Sequence, residues 1–501
     1  MPINFIPNDP LASEPSMRNP RQQNRRPNRP AGRATFVLTG AVPEAVLPVG
    51  TPGFLFWQCR EAALAAVETW EGLAGKLTRW ARSTPSRRRL ALFQNAGTGP
   101  DPQEFLNAFY DGQSVQFFEF TGGGKTTFSG ASTDVVAHEV GHGLLDSIRP
   151  DLWSSNFIEV GAFHEAFGDS IAMLTALADA PTRQTLLGLP GALNAANFLE
   201  ATAEDLSDGR LRAIGPNDPA SQPRHALNTF QWQLPAFLPS GGPPATLARE
   251  PHSFARVFTG CLWDTLRNIF AGLAAQDSAA LLAAAQTTGR LLVAGARTAP
   301  EAARFFQSVG RAMILADQQM NQGANRMAIR NAFTAHNVAL GSTVMLAPTA
   351  ALAGAAPKIA ATTAALSAAT RRDLGLRLGA APRAQVLVTP MNIAGERVAH
   401  AAHQREIPLG KLHKSLKGVV ALATESVLVG AVRGAAALLG AMPDSTSTID
   451  EVTSFVETLL AHDHLALAPA KGAAAVSRRT THAVTVQRGK KVLSRVGFFC
   501  G

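Results

Sequence analysis

The segment Asp134-Val-Val-Ala-His-Glu-Val-Gly-His-Gly-Leu-Leu-Asp146 decides how the rest of the chain is interpreted. His138 and His142 are four residues apart, so a helix brings both side chains to one face, one turn apart. Two imidazole nitrogens in that arrangement can meet one Zn²⁺ at about 2.0–2.1 Å. Glu139 lies beside that face, where it can take a proton from a zinc-bound water. The segment therefore predicts a mononuclear zinc site with Glu139 as the general base.

A zinc site of this kind needs a third protein ligand, and the segment Gly161-Ala-Phe-His-Glu-Ala-Phe-Gly-Asp169 offers one. Glu165 lies 23 residues after His142, which is far enough for a loop and a returning helix. Asp169 is on the same helical face and can accept a hydrogen bond from the far nitrogen of a ligand histidine. His164 is the rival ligand. It points about 100° away from Glu165 on a helix, which favours a packing or surface position.

These two runs, DVVAHEVGHGLLD and GAFHEAFGD, resemble the thermolysin family of gluzincin metallopeptidases, whose zinc ligands are His, His and Glu. The resemblance extends over about residues 35–340. It implies a zinc-dependent endopeptidase that acts on polypeptides, with His138, His142 and Glu165 as the ligands. It also implies a two-lobed α+β fold, with a β-containing N-terminal lobe and a mostly helical C-terminal lobe around the zinc helix.

The resemblance assigns roles to further residues. Residues 106–112, Leu-Asn-Ala-Phe-Tyr-Asp-Gly, are similar to the family's edge strand, which implies that Asn107 and Ala108 hold the substrate backbone by strand addition. His252 falls in the order where the family places a histidine that stabilises the oxyanion. Arg212 lies where the family has an arginine that grips the substrate carbonyl.

The chain also departs from the family pattern. The family's tyrosine between the second and third ligands has no match, since that stretch offers Trp153 and the single tyrosine of the chain is Tyr110. The family's acidic calcium cluster is missing, because Asp179 is the only acidic residue between residues 170 and 198. This argues against structural calcium even though Asp134 is present.

Two other functions compete with the endopeptidase. The first is an aminopeptidase of the gluzincin type, which needs acidic residues for a free amine and a Gly-rich strand before the zinc motif; the run LNAFYDG argues against it. The second is non-enzymatic, a zinc-stabilised scaffold or effector whose C-terminal unit binds a partner. The intact Glu139 argues against a dead site.

The chain has 501 residues, of which 46% are apolar and 17% charged, so it can bury a sizeable core and most of it should be ordered. Three cysteines far apart indicate neither a disulfide framework nor a cysteine zinc cluster. Composition and motifs divide the chain into five parts. Residues 1–34 are an Arg/Pro-rich disordered arm, residues 35–160 an α/β lobe with the edge strand and zinc helix, and residues 161–340 a helical lobe with the third ligand. Residues 341–370 are an Ala-rich linker and residues 371–501 a small α+β accessory unit.

Periodicity predicts the elements within these parts. In the accessory unit we expect a strand at 385–389, helices at 415–440 and 448–462, and a closing hairpin at 483–499. Helices of the central region are expected at 133–148, 161–179, 253–275, 277–297, 300–319 and 324–339.

The net charge of +9 is concentrated near the start of the chain, where arginines alternate with Pro, Asn and Gln. Such a segment is either an arm attracted to an anionic surface or a solvated tail, and without interleaved aromatics it predicts no specific nucleic-acid partner. The arginines are Arg18, Arg21, Arg25, Arg26, Arg29 and Arg33.

No segment predicts a secretory signal or a membrane span. The start, MPINFIPNDP, lacks a basic region followed by an apolar run. Residues 419–442 are the most apolar stretch, but Glu425 and Arg433 interrupt them, which favours a buried helix. The compartment is left open between the cytoplasm and export by a non-standard route.

Overall fold

The computed structural model describes residues 1–341, 386–393, 396–432, 435–438, 445–467 and 479–499, with a few isolated positions between 372 and 380. Over these residues the fold is mixed α+β, with β-sheets near the N-terminus, a helical central region and a further sheet near the C-terminus. This confirms the predicted α+β class. The predicted linker at 341–370 lies, apart from its first residue, outside the described residues.

The N-terminal arm is ordered, so the expectation of disorder for residues 1–34 is wrong. Strand β1 (Ile3–Phe5) pairs antiparallel with β2 (Arg21–Gln23), and the short helix α1 (Pro15–Arg18) lies between them. Ile3 and Phe5 are buried, which anchors the segment to the rest of the protein.

Acidic partners explain why this basic segment packs against the folded protein. Five of the six arginines form ion pairs with carboxylates of the folded protein, so much of their charge is neutralised within the chain. Contact with an anionic surface stays a prediction. The pairs are Arg21–Asp179, Arg25–Glu44, Arg26–Glu61, Arg26–Glu68, Arg29–Glu71 and Arg33–Glu71.

The first sheet has strand order β18-β5-β6-β4-β3 and receives its outermost strand, β18 (Phe498–Phe499), from the other end of the chain. Strands β5 and β6 pair antiparallel around the Asp111–Gly112 turn, with Ala108 opposite Phe117. The remaining elements of this part are β3 (Thr35–Leu38), α2 (Pro52–Ala74), β4 (Arg89–Phe93), α3 (Pro102–Phe105), β5 (Ala108–Tyr110), β6 (Ser114–Phe117), β7 (Glu119–Gly122) and β8 (Lys125–Phe128).

The central region contains the two helices that carry the predicted zinc ligands. Helices α4 and α5 approach so closely that a Cβ on Gly141 would lie 2.9 Å from the Cα of Gly168, and only glycine allows that distance. The elements of this region are α4 (Thr133–Ile148), α5 (Ile158–Ala178), α6 (Ala180–Gly188), β9 (Ala201–Thr202), α7 (Glu204–Ala213), β10 (Arg224–His225), α8 (Pro251–Ala271), α9 (Ser278–Thr298), α10 (Phe305–Asn321) and α11 (Arg326–Ala335).

One described helix, α9, is long and apolar enough to cross a membrane by length and composition alone. It packs against α8, α10 and α2, and 56% of its most apolar window is buried within the protein. A core helix of a globular protein passes the same test, so this is weak evidence for a membrane span.

The C-terminal unit is built on a sheet with strand order β11-β12-β13-β17-β16-β15, to which β14 adds beside β13. The predicted helix at 415–440 is wrong, because Val419–Val432 forms a long strand. The elements are β11 (Leu387–Ile393), β12 (Glu396–Pro408), β13 (Val419–Val432), β14 (Ala435–Leu438), α12 (Ser445–Ala461), β15 (Leu465–Ala466), β16 (His482–Gln487) and β17 (Lys490–Arg495).

The C-terminal unit is packed onto the rest of the protein. Val452 and Phe455 of α12 belong to the same buried apolar cluster as the zinc helix. Ser426 donates its backbone N–H to the Glu301 carbonyl at 2.8 Å, and Asn156 donates to the Leu422 carbonyl at 2.8 Å. These contacts hold the unit firmly against the central helices.

Candidate metal centre

Helix α4 holds the three residues of the predicted zinc motif. It begins after Ser132, whose side chain accepts a hydrogen bond from the Val135 N–H, a typical N-cap arrangement. His138, Glu139 and His142 are fully buried, and their ligand atoms all lie within 4.8 Å of one another. The buried group on this helix could therefore bind a metal ion.

Helix α5 brings Glu165 to the same point. Glu165 Oε2 lies 3.3 Å from His138 Nε2 and 3.7 Å from His142 Nε2. Two ligands of a tetrahedral zinc, each about 2.0–2.1 Å from the ion, are about 3.4 Å apart. Both distances from Glu165 Oε2 are close to that separation. His164, the rival ligand, is buried beside them, with its ring centroid 5.7 Å from that of His142.

The protonation states of these groups fit a cation. Burial lowers the pKa of His142 to about 3, so its imidazole is neutral and keeps a lone pair for a metal. Among the described residues, neither ring nitrogen of His142 and neither carboxylate oxygen of Glu139 has a hydrogen-bond partner. Buried polar atoms without partners are costly, and a bound ion with its water would satisfy them. Burial also raises the pKa of Glu139 to about 8.

A carboxylate and an arginine stand behind His138. The His138 Nδ1–H donates to Asp169 Oδ1 at 2.8 Å, which leaves Nε2 as the nitrogen that faces Glu165. Arg224 on β10 donates to the same Asp169 oxygen at 2.8 Å. Burial alone would raise the pKa of Asp169, but Arg224 and His138 outweigh it and hold that pKa well below its ordinary value. Asp169 is therefore ionised and fixes the His138 ring.

His252 reaches the same centre from the first turn of α8. Its Nε2 lies 3.2 Å from Glu165 Oε2, and its Nδ1–H donates to Glu250 Oε1 at 2.7 Å. Burial disfavours the charged ring, but Glu165 and Glu250 outweigh burial and raise the pKa of His252 well above its ordinary value. The structure thus brings together the six predicted residues of the zinc helices and α8: His138, Glu139, His142, Glu165, Asp169 and His252.

Arg212, predicted to grip the substrate carbonyl, is engaged elsewhere. Its guanidinium forms an ion pair with Asp208 at 2.9 Å and donates to the carbonyl of Gly122 and to the Thr127 hydroxyl. Arg224 is the arginine that contacts Asp169 instead. Both arginines lie between the third ligand and His252 in sequence, and no local pattern separates them, so the substrate role of Arg212 stays a prediction.

The predicted substrate strand is present but is not an edge. Asn107 is buried and its Oδ1 accepts the Ala108 N–H at 2.8 Å. Strand β5 pairs with β6 on one side and with β18 on the other. The Tyr110 hydroxyl donates to Asp146 at 3.1 Å, so it supports the zinc helix from outside the metal centre.

A second group of carboxylates lies at the start of α4. Asp9, Asp134 and Glu204 have ligand atoms within 4.8 Å of one another. Burial raises the pKa of all three, and repulsion from neighbouring carboxylates raises the pKa of Asp9 and Glu204 further. Asp9 Oδ2 and Glu204 Oε2 have no hydrogen-bond partner among the described residues. The sequence argued against structural calcium because the acidic cluster of the resembled family is missing between residues 170 and 198; Asp9, which lies in the N-terminal arm, was not considered.

No family model and no curated protein matches the chain. The assignment of the metal centre therefore rests on the geometry and burial of these side chains.

Proposed function

We propose that the chain is a zinc-dependent metalloendopeptidase of the thermolysin-like gluzincin type, with a two-lobed arrangement around the zinc helix. The observation that carries the proposal is the convergence of His138, His142 and Glu165 at tetrahedral separations beside the unpartnered carboxylate of Glu139. A scaffold needs the metal ligands alone. A buried, unpartnered carboxylate at the open side of the metal is what hydrolysis needs.

Zinc held by these ligands would polarise a peptide carbonyl and lower the pKa of its water. In the proposed reaction Glu139 accepts a proton from the attacking water as its oxygen bonds to the carbonyl carbon. Glu139 then passes that proton to the amide nitrogen, the C–N bond breaks and an amine leaves. A single carboxyl group can thus act first as the base and then as the acid.

His252 is placed to stabilise the developing negative charge. Glu250 orients the ring through Nδ1 and favours the protonated form. The Nε2–H then points toward the metal ligands, where it can donate to the carbonyl oxygen as that oxygen becomes anionic. Arg224 and Asp169 act through His138, whose ring they hold in position.

Strand β5 supports a polypeptide substrate and an endopeptidase, provided that β18 leaves the side of β5 that it occupies. An extended peptide could then add to β5 by backbone hydrogen bonds, which bind main chain of any sequence and require no free terminus. The aminopeptidase alternative is separated by comparing N-blocked and free peptides of the same sequence. An endopeptidase cleaves both.

The test is cleavage of an unstructured protein such as casein, measured with bound zinc determined on the same samples. Glu139→Gln should retain zinc and lose about 10²–10⁴-fold in rate, the usual contribution of a general base. Glu68→Gln is the matched control, since Glu68 is half-exposed on α2. A chelator should abolish cleavage and zinc should restore it. Full zinc-dependent cleavage by Glu139→Gln would refute the proposal.

One observation favours the non-enzymatic alternative, a zinc-stabilised scaffold. Phe498 lies directly against His142, so the intact chain covers its own metal centre. Stoichiometric zinc without cleavage of any peptide, both in the intact chain and after removal of this covering segment, would favour the scaffold.

A further inference from the structure

Strand β18 occupies the place where a substrate strand would lie. It runs antiparallel to β5, with Phe498 opposite Tyr110 and Phe499 opposite Phe109. Strand β5 precedes the zinc helix and offers this one side for strand addition, since β6 takes the other. An extended peptide that binds by backbone pairing would take the same direction and the same hydrogen-bonding groups.

The side chain of Phe498 fills the space over the metal ligands. Its ring is stacked on His142 at a centroid distance of 4.7 Å and on His164 at 4.2 Å, and it meets Trp153 edge-on at 5.5 Å. It is 2% exposed. Because His142 is one of the proposed zinc ligands, no second chain can occupy this volume while Phe498 is there.

A cavity of ≈ 140 Å³ lies beside Arg224 and His252, and His462 and His464 of the C-terminal unit also line it. Sites for small ligands usually measure about 300–1,000 Å³, so this cavity is too small for a polypeptide.

The backbone attachment of this segment is short. Over the described residues it includes the two residue pairs with β5 and a hydrogen bond from the Val496 N–H to the Thr481 carbonyl at 2.7 Å, next to the bond from Trp153 Nε1 to the Arg495 carbonyl at 3.2 Å. The Phe498 ring adds its stacking contacts to these. The Arg495 guanidinium stacks over Phe498 at 4.1 Å. A longer peptide can form more backbone bonds along β5 than this segment does, so exchange is feasible.

We propose that Val496–Phe499 is an intramolecular pseudo-substrate that fills the peptide groove along β5, so that a polypeptide enters only when this segment leaves. The identification of the groove as a substrate site rests on the proposed peptidase function. The fraction of molecules with the segment displaced sets the apparent affinity for substrate, because binding is weakened in proportion to that fraction.

The test compares the intact chain with a variant that lacks residues 496–501. Loss of the segment should raise kcat/KM for an unstructured protein by about tenfold or more, which corresponds to about 1.4 kcal/mol of competition. Phe498→Ala and Gly497→Val should act in the same direction, since a Cβ at Gly497 would overlap the Phe109 ring. Val486→Ala is the control, because Val486 is 71% exposed on β16. Equal activity of all these proteins would overturn the proposal.

A binding measurement separates this proposal from the peptidase itself. The probe is a fluorescent peptide of residues 493–499, LSRVGFF, tested on Glu139→Gln proteins so that it is not consumed. It should bind the variant that lacks residues 496–501 and should not bind the intact chain, and the same peptide with Phe498→Ala should bind more weakly. If neither protein cleaves any substrate but the peptide binds in this pattern, the peptidase is refuted and self-occupancy of the groove is supported. A peptide that binds neither protein, or both equally, overturns self-occupancy.

Discussion

Gly168 is the residue whose substitution tests the metal centre most directly. It lies on α5 between Glu165 and Asp169, and a Cβ at this position would be 2.6 Å from Nδ1 and 2.7 Å from Cε1 of His138. Ordinary contacts between such atoms need about 3.5 Å, so Gly168→Ala must displace the ring by about 0.9 Å. Metal–ligand distances tolerate only about ±0.2 Å. The displacement also breaks the 2.8 Å bond from His138 to Asp169.

We therefore expect Gly168→Ala to lower zinc affinity by about 100-fold or more, beyond the 10–100-fold that a lost supporting partner costs. Affinity is measured by competition with a chromogenic chelator, and the zinc-dependent rise in Tm gives an independent value if the apoprotein is less stable. The matched control is Gly72→Ala near the end of α2, where a Cβ would meet nothing within 4 Å. That change should leave zinc affinity unaltered and stabilise the helix by about 0.5–1 kcal/mol. Zinc affinity of Gly168→Ala within about twofold of the parent would refute the geometry.

Two further predictions concern buried carboxylates. Asp169→Asn keeps the shape of the side chain but removes the negative charge beside His138 Nδ1. Zinc affinity should therefore fall about 10- to 100-fold in the same competition assay. Unchanged affinity would contradict the supporting role of the Asp169–His138 contact. The raised pKa values of Asp9, Asp134 and Glu204 mean that the folded chain keeps protons that the unfolded chain has lost, so the contribution of this cluster to stability should be greatest below about pH 4 and decline as pH rises. Ca²⁺ at neutral pH should offset this decline and raise Tm. Asp9→Asn should remove most of the rise in Tm that Ca²⁺ causes. A Tm that depends on neither pH nor Ca²⁺ would argue against a cation site at these three carboxylates.

The zinc helix was predictable because its signals are local. The expected bounds, 133–148, are those of α4, since a serine cap and the apolar positions of one helical face lie within the segment itself. The approach of Glu165 could be expected from the need for a third ligand and from its place on a returning helix. The approach of His252 could be expected only from the resemblance, because the loops that lead to α8 carry no pattern of their own. Their roles as ligand and oxyanion partner stay predictions until zinc and activity are measured.

The errors arose where local patterns are ambiguous. Residues 415–440 are rich in Ala, Val and Leu, which suits a buried helix as well as a buried strand. The β-branched residues, and a burial pattern in which Val419, Ala421, Ala423 and Glu425 face inward, fit a strand. The arm was misjudged for a different reason: its arginines find carboxylates far away in the sequence, and composition contains no record of such partners.

The partner of strand β5 could not be predicted from the sequence, and the reason is physical. An edge strand exposes unpaired N–H and C=O groups, and a stable protein covers them to avoid aggregation. A peptidase of the proposed kind needs the same groups for its substrate. Backbone pairing depends little on side chains, so the sequence of β5 is the same whether its partner is a substrate or residues 498–499 of the same chain. A detachable strand meets both requirements, because it protects the edge in the absence of substrate and exposes it when a longer peptide competes. The short pairing of β18, two residues long, is what such an exchange requires.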